Sequence, residues 1–196
     1  MEDASQAAVS VGALWLPVLV AAVLTFIGSA LVWTAFHWHD ADWRLVPDEP
    51  ALQEFLRKAG LGRGQYMFPH MEPKPADRAA AQKTWEERYA RGPVGVLILG
   101  RPGRMSMPKM MGQMGALVLV VSFFIAYIAA HALPFGASYL AVFRIVGATA
   151  FVAYGSAQFV DSIWFYRSWR TTWLNVLDAL LYACLTAGAF GWLWPR

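Results

Sequence analysis

The residues best equipped for chemistry sit together in one short stretch, His37-Trp38-His39-Asp40-Ala41-Asp42, directly after an uncharged run from Ser5 to Phe36. Neutral imidazoles and carboxylates are good ligands for divalent metals such as zinc. His37, His39 and Asp40, completed by Asp161 or Asp178, make a candidate metal site, and a divalent metal is the one cofactor this set brings to mind. The His-x-His spacing is not the i, i+4 pair that a zinc-binding helix presents. The competing reading is that these are interfacial polar residues ending a span. Four further ionisable residues, His131, Arg144, Asp161 and Asp178, lie in or at the ends of other apolar runs. In such surroundings these groups usually face the bundle interior and pair with one another. His131 and Arg144 fall at one level, within reach of Tyr139. Asp161 and Asp178 fall at the other, near Arg167 and Arg170.

Other chemistry is thin. The run Arg104-Met105-Ser106-Met107-Pro108-Lys109-Met110-Met111 is rich in thioethers, which bind Cu(I) but also fill irregular apolar surfaces. No phosphate-cradling glycine loop, nucleophile elbow or helical His-Glu-x-x-His is present. Asp161 and Asp178 could form a carboxylate pair for proton transfer, but nothing places a nucleophile or substrate beside them. The single cysteine, Cys184, excludes a disulfide within the chain.

The elements that must position these residues are apolar helices. Of 196 residues, 58% are hydrophobic and 15% charged, against about 25% charged in a soluble domain. Uncharged runs also cover Met110–Phe143, Ile145–Val160 and Ala179–Pro195. A bilayer core of about 30 Å needs about 20 apolar residues per helix. Helices are expected at about 11–36, 112–133, 138–160 and 171–193, with Pro134 and Gly136 turning the chain between the second and third. The expected fold is an all-α membrane protein: a four-helix transmembrane bundle with a small mixed cytoplasmic cap between helices 1 and 2. The domains are then 1–37 (helix 1 and a short outer N-terminus), 38–111 (the cap) and 112–196 (helices 2–4). The acidic opening Met1-Glu2-Asp3 reads as leading into a retained first helix, since a cleaved signal peptide starts basic.

The cap has its own signals. Asp48-Glu49-Pro50 opens a short helix whose bases, Arg57 and Lys58, gather at its end, before Gly60. Asp77 caps a second helix running to about Tyr89 and stopped by Gly92-Pro93. Val94–Leu99 reads as a short strand or interfacial segment.

Charge sets the orientation. Twelve Lys and Arg lie between His37 and Met111, with Arg167 and Arg170 in the next loop on the same side. The positive-inside rule places both loops in the cytoplasm and both termini outside. Trp15, Tyr139, Trp192 and Trp194 then mark one interface, and Trp33, Trp38, Trp164, Trp169 and Trp173 the other. The basic excess is topological, so nucleic acid is not an expected partner; the lipid bilayer is.

Helix 4 carries Ala179, Ala183, Ala187 and Gly191, a small residue at every fourth position, which lets two backbones approach closely. The stripe serves either packing within the bundle or contact with another chain.

Several stretches carry a resemblance: Gly64-Gln65-Tyr66-Met67-Phe68-Pro69-His70, Arg91-Gly92-Pro93-Val94-Gly95, His131–Tyr139 through Phe143–Gly147, and Gly188–Trp194. The chain resembles a family of small bacterial four-span inner-membrane proteins without an assigned activity. The resemblance implies a fold and an inner-membrane location, and no functional residue. The expected function is a non-enzymatic accessory or scaffold component that packs on copies of itself or in a larger membrane complex. Two alternatives stay open: a small transporter or metal-handling protein using the intramembrane His, Asp and Arg, and a membrane-embedded enzyme acting on a lipid or quinone.

Overall fold

The computed structural model describes residues 8–72 and 74–196. The expected outer N-terminal segment therefore lies largely outside the described residues. The chain divides into two compact units. The first holds the chain up to Trp43, Met105–Ser162 and Arg167–Arg196; the second holds Arg44–Arg104 and Ile163–Tyr166.

The first unit is built of long helices. A 3-10 turn, Val11–Leu14, leads into α1 (Trp15–Thr34), and a second 3-10 segment, His37–Asp42, follows it. The cap helices α2 (Glu49–Lys58) and α3 (Arg78–Arg91) belong to the second unit. Then come α4 (Met107–Ala132), α5 (Tyr139–Gly155), α6 (Gln158–Trp164) and α7 (Trp169–Leu193). α7 packs on α5 and on α1, and α4 packs on α1 and on α5, so the four long helices close a ring. The segments Val11–Thr34, Met107–Ala132, Tyr139–Trp164 and Trp169–Leu193 are each long and apolar enough to cross a membrane.

Side chains are sorted by size between inside and outside. α1 buries Ala21, Ala22, Thr25 and Gly28 and exposes Leu19, Val23, Ile27 and Leu31. α4 buries Ser122, Ala126, Ala129 and Ala130 and exposes Val120, Phe123, Phe124 and Ile128. Large apolar groups turned outward in rows would be costly in water, at about 25 cal/mol per Å². Small groups inside let helix backbones approach. A Cβ on Gly155 would stand 3.3 Å from that of Ala179, and one on Gly147 would stand 3.4 Å from that of Ala187. The stripe Ala179, Ala183, Ala187 and Gly191 is buried within the chain itself.

Two boundaries differ from the sequence expectation. α4 starts at Met107, not near 112, because Pro108 fits the first helical turn, where its missing N–H costs nothing. The third long apolar segment is broken: α5 stops at Gly155, and α6 resumes at Gln158. At the break the Ser156 hydroxyl donates to the Val152 carbonyl at 2.7 Å, a local bond that competes with the helix ladder.

In the second unit, Asp48 Oδ1 accepts from the Ala51 N–H at 3.0 Å, and Asp77 Oδ1 accepts from Ala79 and Ala80 at 2.9 and 3.0 Å. Each such cap is worth about 1 kcal/mol. Gly60 and Gly92 end the helices at positive φ, 68° and 61°. Val94–Leu99, expected as a short strand or an interfacial segment, holds β2 (Gly95–Leu99), antiparallel to an unanticipated β1 (Gly64–Phe68), with Tyr66 opposite Leu97.

Candidate functional site

The site is a buried chain of charged groups at the end of the first unit opposite the α4–α5 turn. The 3-10 segment turns His39 back onto the indole of Trp33, where the rings stack with centroids 4.3 Å apart and 7° between their planes. This exposes both imidazole edges to carboxylates. Nδ1 lies 2.6 Å from Asp42 Oδ2, and Nε2 lies 2.9 Å from Asp178 Oδ2. The side chains of His39, Asp42 and Asp178 are 5%, 3% and 4% exposed. Asp42 Oδ1 in turn accepts from Arg170 Nη1 at 2.8 Å and from the Thr171 hydroxyl at 3.0 Å, while Arg170 Nη2 donates to the Trp38 carbonyl at 2.9 Å. Arg170 is half-exposed.

The proton count defines the chemistry. A neutral imidazole offers one N–H, yet both nitrogens face a carboxylate. The second hydrogen sits either on the ring, as imidazolium, or on one of the carboxyls. Arg170, bonded to Asp42, sets a positive charge beside the two carboxylates. Asp178 Oδ1 is buried with no hydrogen-bond partner among the described residues. The chain of bonds thus runs from a half-exposed guanidinium to an unused buried acceptor, roughly 13 Å along α7 from Trp169 at 1.5 Å per residue.

Hydroxyls extend this line toward the bundle centre. Asp178, Tyr182 and Thr186 are four residues apart, and so on one face of α7. The Tyr182 and Tyr154 rings meet edge-on at 5.8 Å. The Thr25 and Thr186 hydroxyls are 3.2 Å apart, and Tyr154 OH and Ser122 Oγ are buried without partners among the described residues. Beyond them, toward the α4–α5 turn, the core is apolar: Leu14, Val18, Ala129, Val142 and Phe190 are all buried. The polar line is one-sided and ends blind.

The expected sites are redistributed. His37 does not join His39. It pairs with Asp40 at 3.2 Å on the outside, where the two side chains are 84% and 70% exposed. Both nitrogens of His39 are committed to carboxylates. Among the described residues no three of His, Cys, Asp and Glu are grouped to hold a metal, so His37, His39 and Asp40 do not form one ligand set. Asp161 and Asp178 do not pair either: Asp161 meets Arg167 at 2.7 Å, partly exposed. His131 bonds the Tyr127 carbonyl at 2.7 Å and is exposed, as is Arg144; the two are not bonded to each other. Of these four candidates from the apolar runs only Asp178 belongs to the buried centre. Sequence reasoning placed Arg170 at the level of Asp178, but it did not single out Asp42 as the link between them or Trp33 as the platform. The signal available was the alternation in His39-Asp40-Ala41-Asp42, which on a 3-10 turn puts residues three apart on one side.

Comparison with protein-family models, with curated proteins and with solved structures finds no match for this chain.

Proposed function

We propose that the chain is a four-span integral protein of a bacterial inner membrane, with its basic loop cytosolic and both termini outside. In this reading it acts as a non-enzymatic accessory or scaffold component. The membrane part is supported by the outward rows of Leu, Val, Ile and Phe on helices whose small residues point inward. The non-enzymatic part rests on one observation: the only buried charged cluster among the described residues is spent on itself. His39, Asp42, Asp178 and Arg170 clasp the exit of α1 to α7 and leave no nucleophile beside a base. A reporter fused after Arg196 tests the orientation; cytoplasmic activity there overturns it. Native mass spectrometry of gently extracted protein tests the scaffold role. A defined oligomer or a stoichiometric partner is the expected result, and a bare monomer refutes it.

A second reading has its own observation. Asp178 Oδ1, with the unpartnered hydroxyls of Tyr154 and Ser122 further in, resembles the inner half of a polar pathway, as a small proton-linked transporter would need. The apolar core beyond Thr186 argues against passage in this conformation. Proton flux into proteoliposomes that Asp178→Asn abolishes would favour this reading over the first.

A further inference from the structure

The helix α2 has no substantial packing partner among the described residues of its own unit, and none of its residues is buried. Yet it is sharply two-sided. Leu52, Phe55 and Leu56, with Ala59 just past its end, follow i, i+3, i+4 and i+7 spacing, while Gln53, Glu54, Arg57 and Lys58 occupy the opposite side. Phe55 is 64% exposed. Ten residues are too few for a helix to persist in water on its own, where about 12–15 are marginal. An apolar face of this kind must be covered for the helix to last.

We infer that the face formed by Leu52, Phe55 and Leu56 lies in the headgroup region of an anionic lipid bilayer. Three observations select lipid over a protein partner. The unit carries eleven Lys and Arg against seven Asp and Glu between Arg44 and Arg104, which suits an anionic surface. Trp43 and Leu45, immediately ahead of the helix, are 82% and 95% exposed; a tryptophan and a leucine bared together fit an interfacial belt. The chain also cannot carry α2 far away. Asp42 is held by Arg170 at 2.8 Å, and the seven residues from there to Glu49 span at most about 25 Å. A short amphipathic helix with a Phe/Leu face, carried by a unit with a basic excess, lies in the plane of the interface.

This inference rests on the membrane reading, so the test separates the two. Full-length protein in vesicles of 3:1 phosphatidylcholine and phosphatidylglycerol is first floated after an alkaline wash; failure to float refutes the membrane reading itself. Nitroxide labels are then placed one at a time at Leu52→Cys, Gln53→Cys, Phe55→Cys and Arg57→Cys in a Cys184→Ala background, since Cys184 is an exposed free thiol. Power saturation with oxygen and a water-soluble nickel chelate reads their surroundings. Oxygen is expected to dominate at 52 and 55 and nickel at 53 and 57, with the contrast reduced in pure phosphatidylcholine. Nickel access at all four positions overturns the inference. Protection of 52 and 55 from both reagents also overturns it, in favour of a second copy or another protein. Two independent apolar-face positions guard against one label disturbing the fold.

Discussion

Removing His39 should cost far more than removing its α7 partner, and the reason lies in how the two carboxylates are shared. In His39→Leu the bonds of 2.6 and 2.9 Å vanish together. Asp42 is little affected, because Arg170 and Thr171 still hold its other oxygen at 2.8 and 3.0 Å. Asp178 loses its bond, and its Oδ1 has no partner among the described residues to begin with. Breaking a buried pair from one side costs about 3–5 kcal/mol, mostly through the stranded charge. Asp178→Leu removes that charge and leaves His39 on Asp42; it should cost about 1.5–3 kcal/mol, the worth of one charge-assisted bond. The double variant strands no carboxylate and should cost about as much as His39→Leu alone, well short of the sum of the two. The coupling energy should then reach about 2 kcal/mol, within the range seen for residues in one network. Reversible unfolding in mixed micelles by added dodecyl sulfate, followed by circular dichroism, gives all three numbers. A coupling below about 0.5 kcal/mol, the scatter expected of independent sites, would refute the clasp.

Four further outcomes follow from packing and exposure, read by the same unfolding titration or, where folding fails, by loss of a monodisperse monomer on gel filtration. Gly191→Ala puts a Cβ 2.7 Å from two ring carbons of Tyr139 and should destabilise by about 1–3 kcal/mol, whereas Gly112→Ala meets nothing within 4 Å and should stabilise α4 by up to about 1 kcal/mol. Ala183→Leu, at a position 2% exposed, should prevent the monomer from folding; a well-folded monomer that merely loses assembly would contradict the internal placement of the stripe. Asp161→Asn breaks a pair whose members are 35% and 41% exposed and should cost under about 1 kcal/mol.

Periodicity and capping were legible before the structure because they are local. Asp48 and Asp77 announced α2 and α3, and Pro134-Gly136 announced the turn. Run length located the long helices to within a few residues. The break at Ser156 was hidden because Gly155-Ser156-Ala157 adds no charge to the apolar run around it. Strand β1 was hidden because a two-stranded ladder depends on its partner 30 residues away more than on its own pattern. The site was half legible. Ionisable residues in apolar surroundings are conspicuous, so His39 and Asp178 were candidates. Which groups they meet depends on the 3-10 turn after α1, and that turn sends His37 and Asp40 one way and His39 and Asp42 the other. Helix-face arithmetic at 3.6 residues per turn does not give this sorting.

The α4–α5 turn carries a consequence for the order of assembly. Gly136 N–H donates to the Pro195 carbonyl at 2.9 Å, and the Trp194 indole donates to the Pro134 carbonyl at 3.1 Å across 60 positions of sequence. The ribosome therefore makes this corner long before it makes the groups that fasten it. The hairpin of α4 and α5 starts with its apex unlatched, and the latch closes only when Trp194 and Pro195 have left the ribosome. A chain truncated after Leu193 should leave residues 134–136 open to an added protease that the full-length chain resists there.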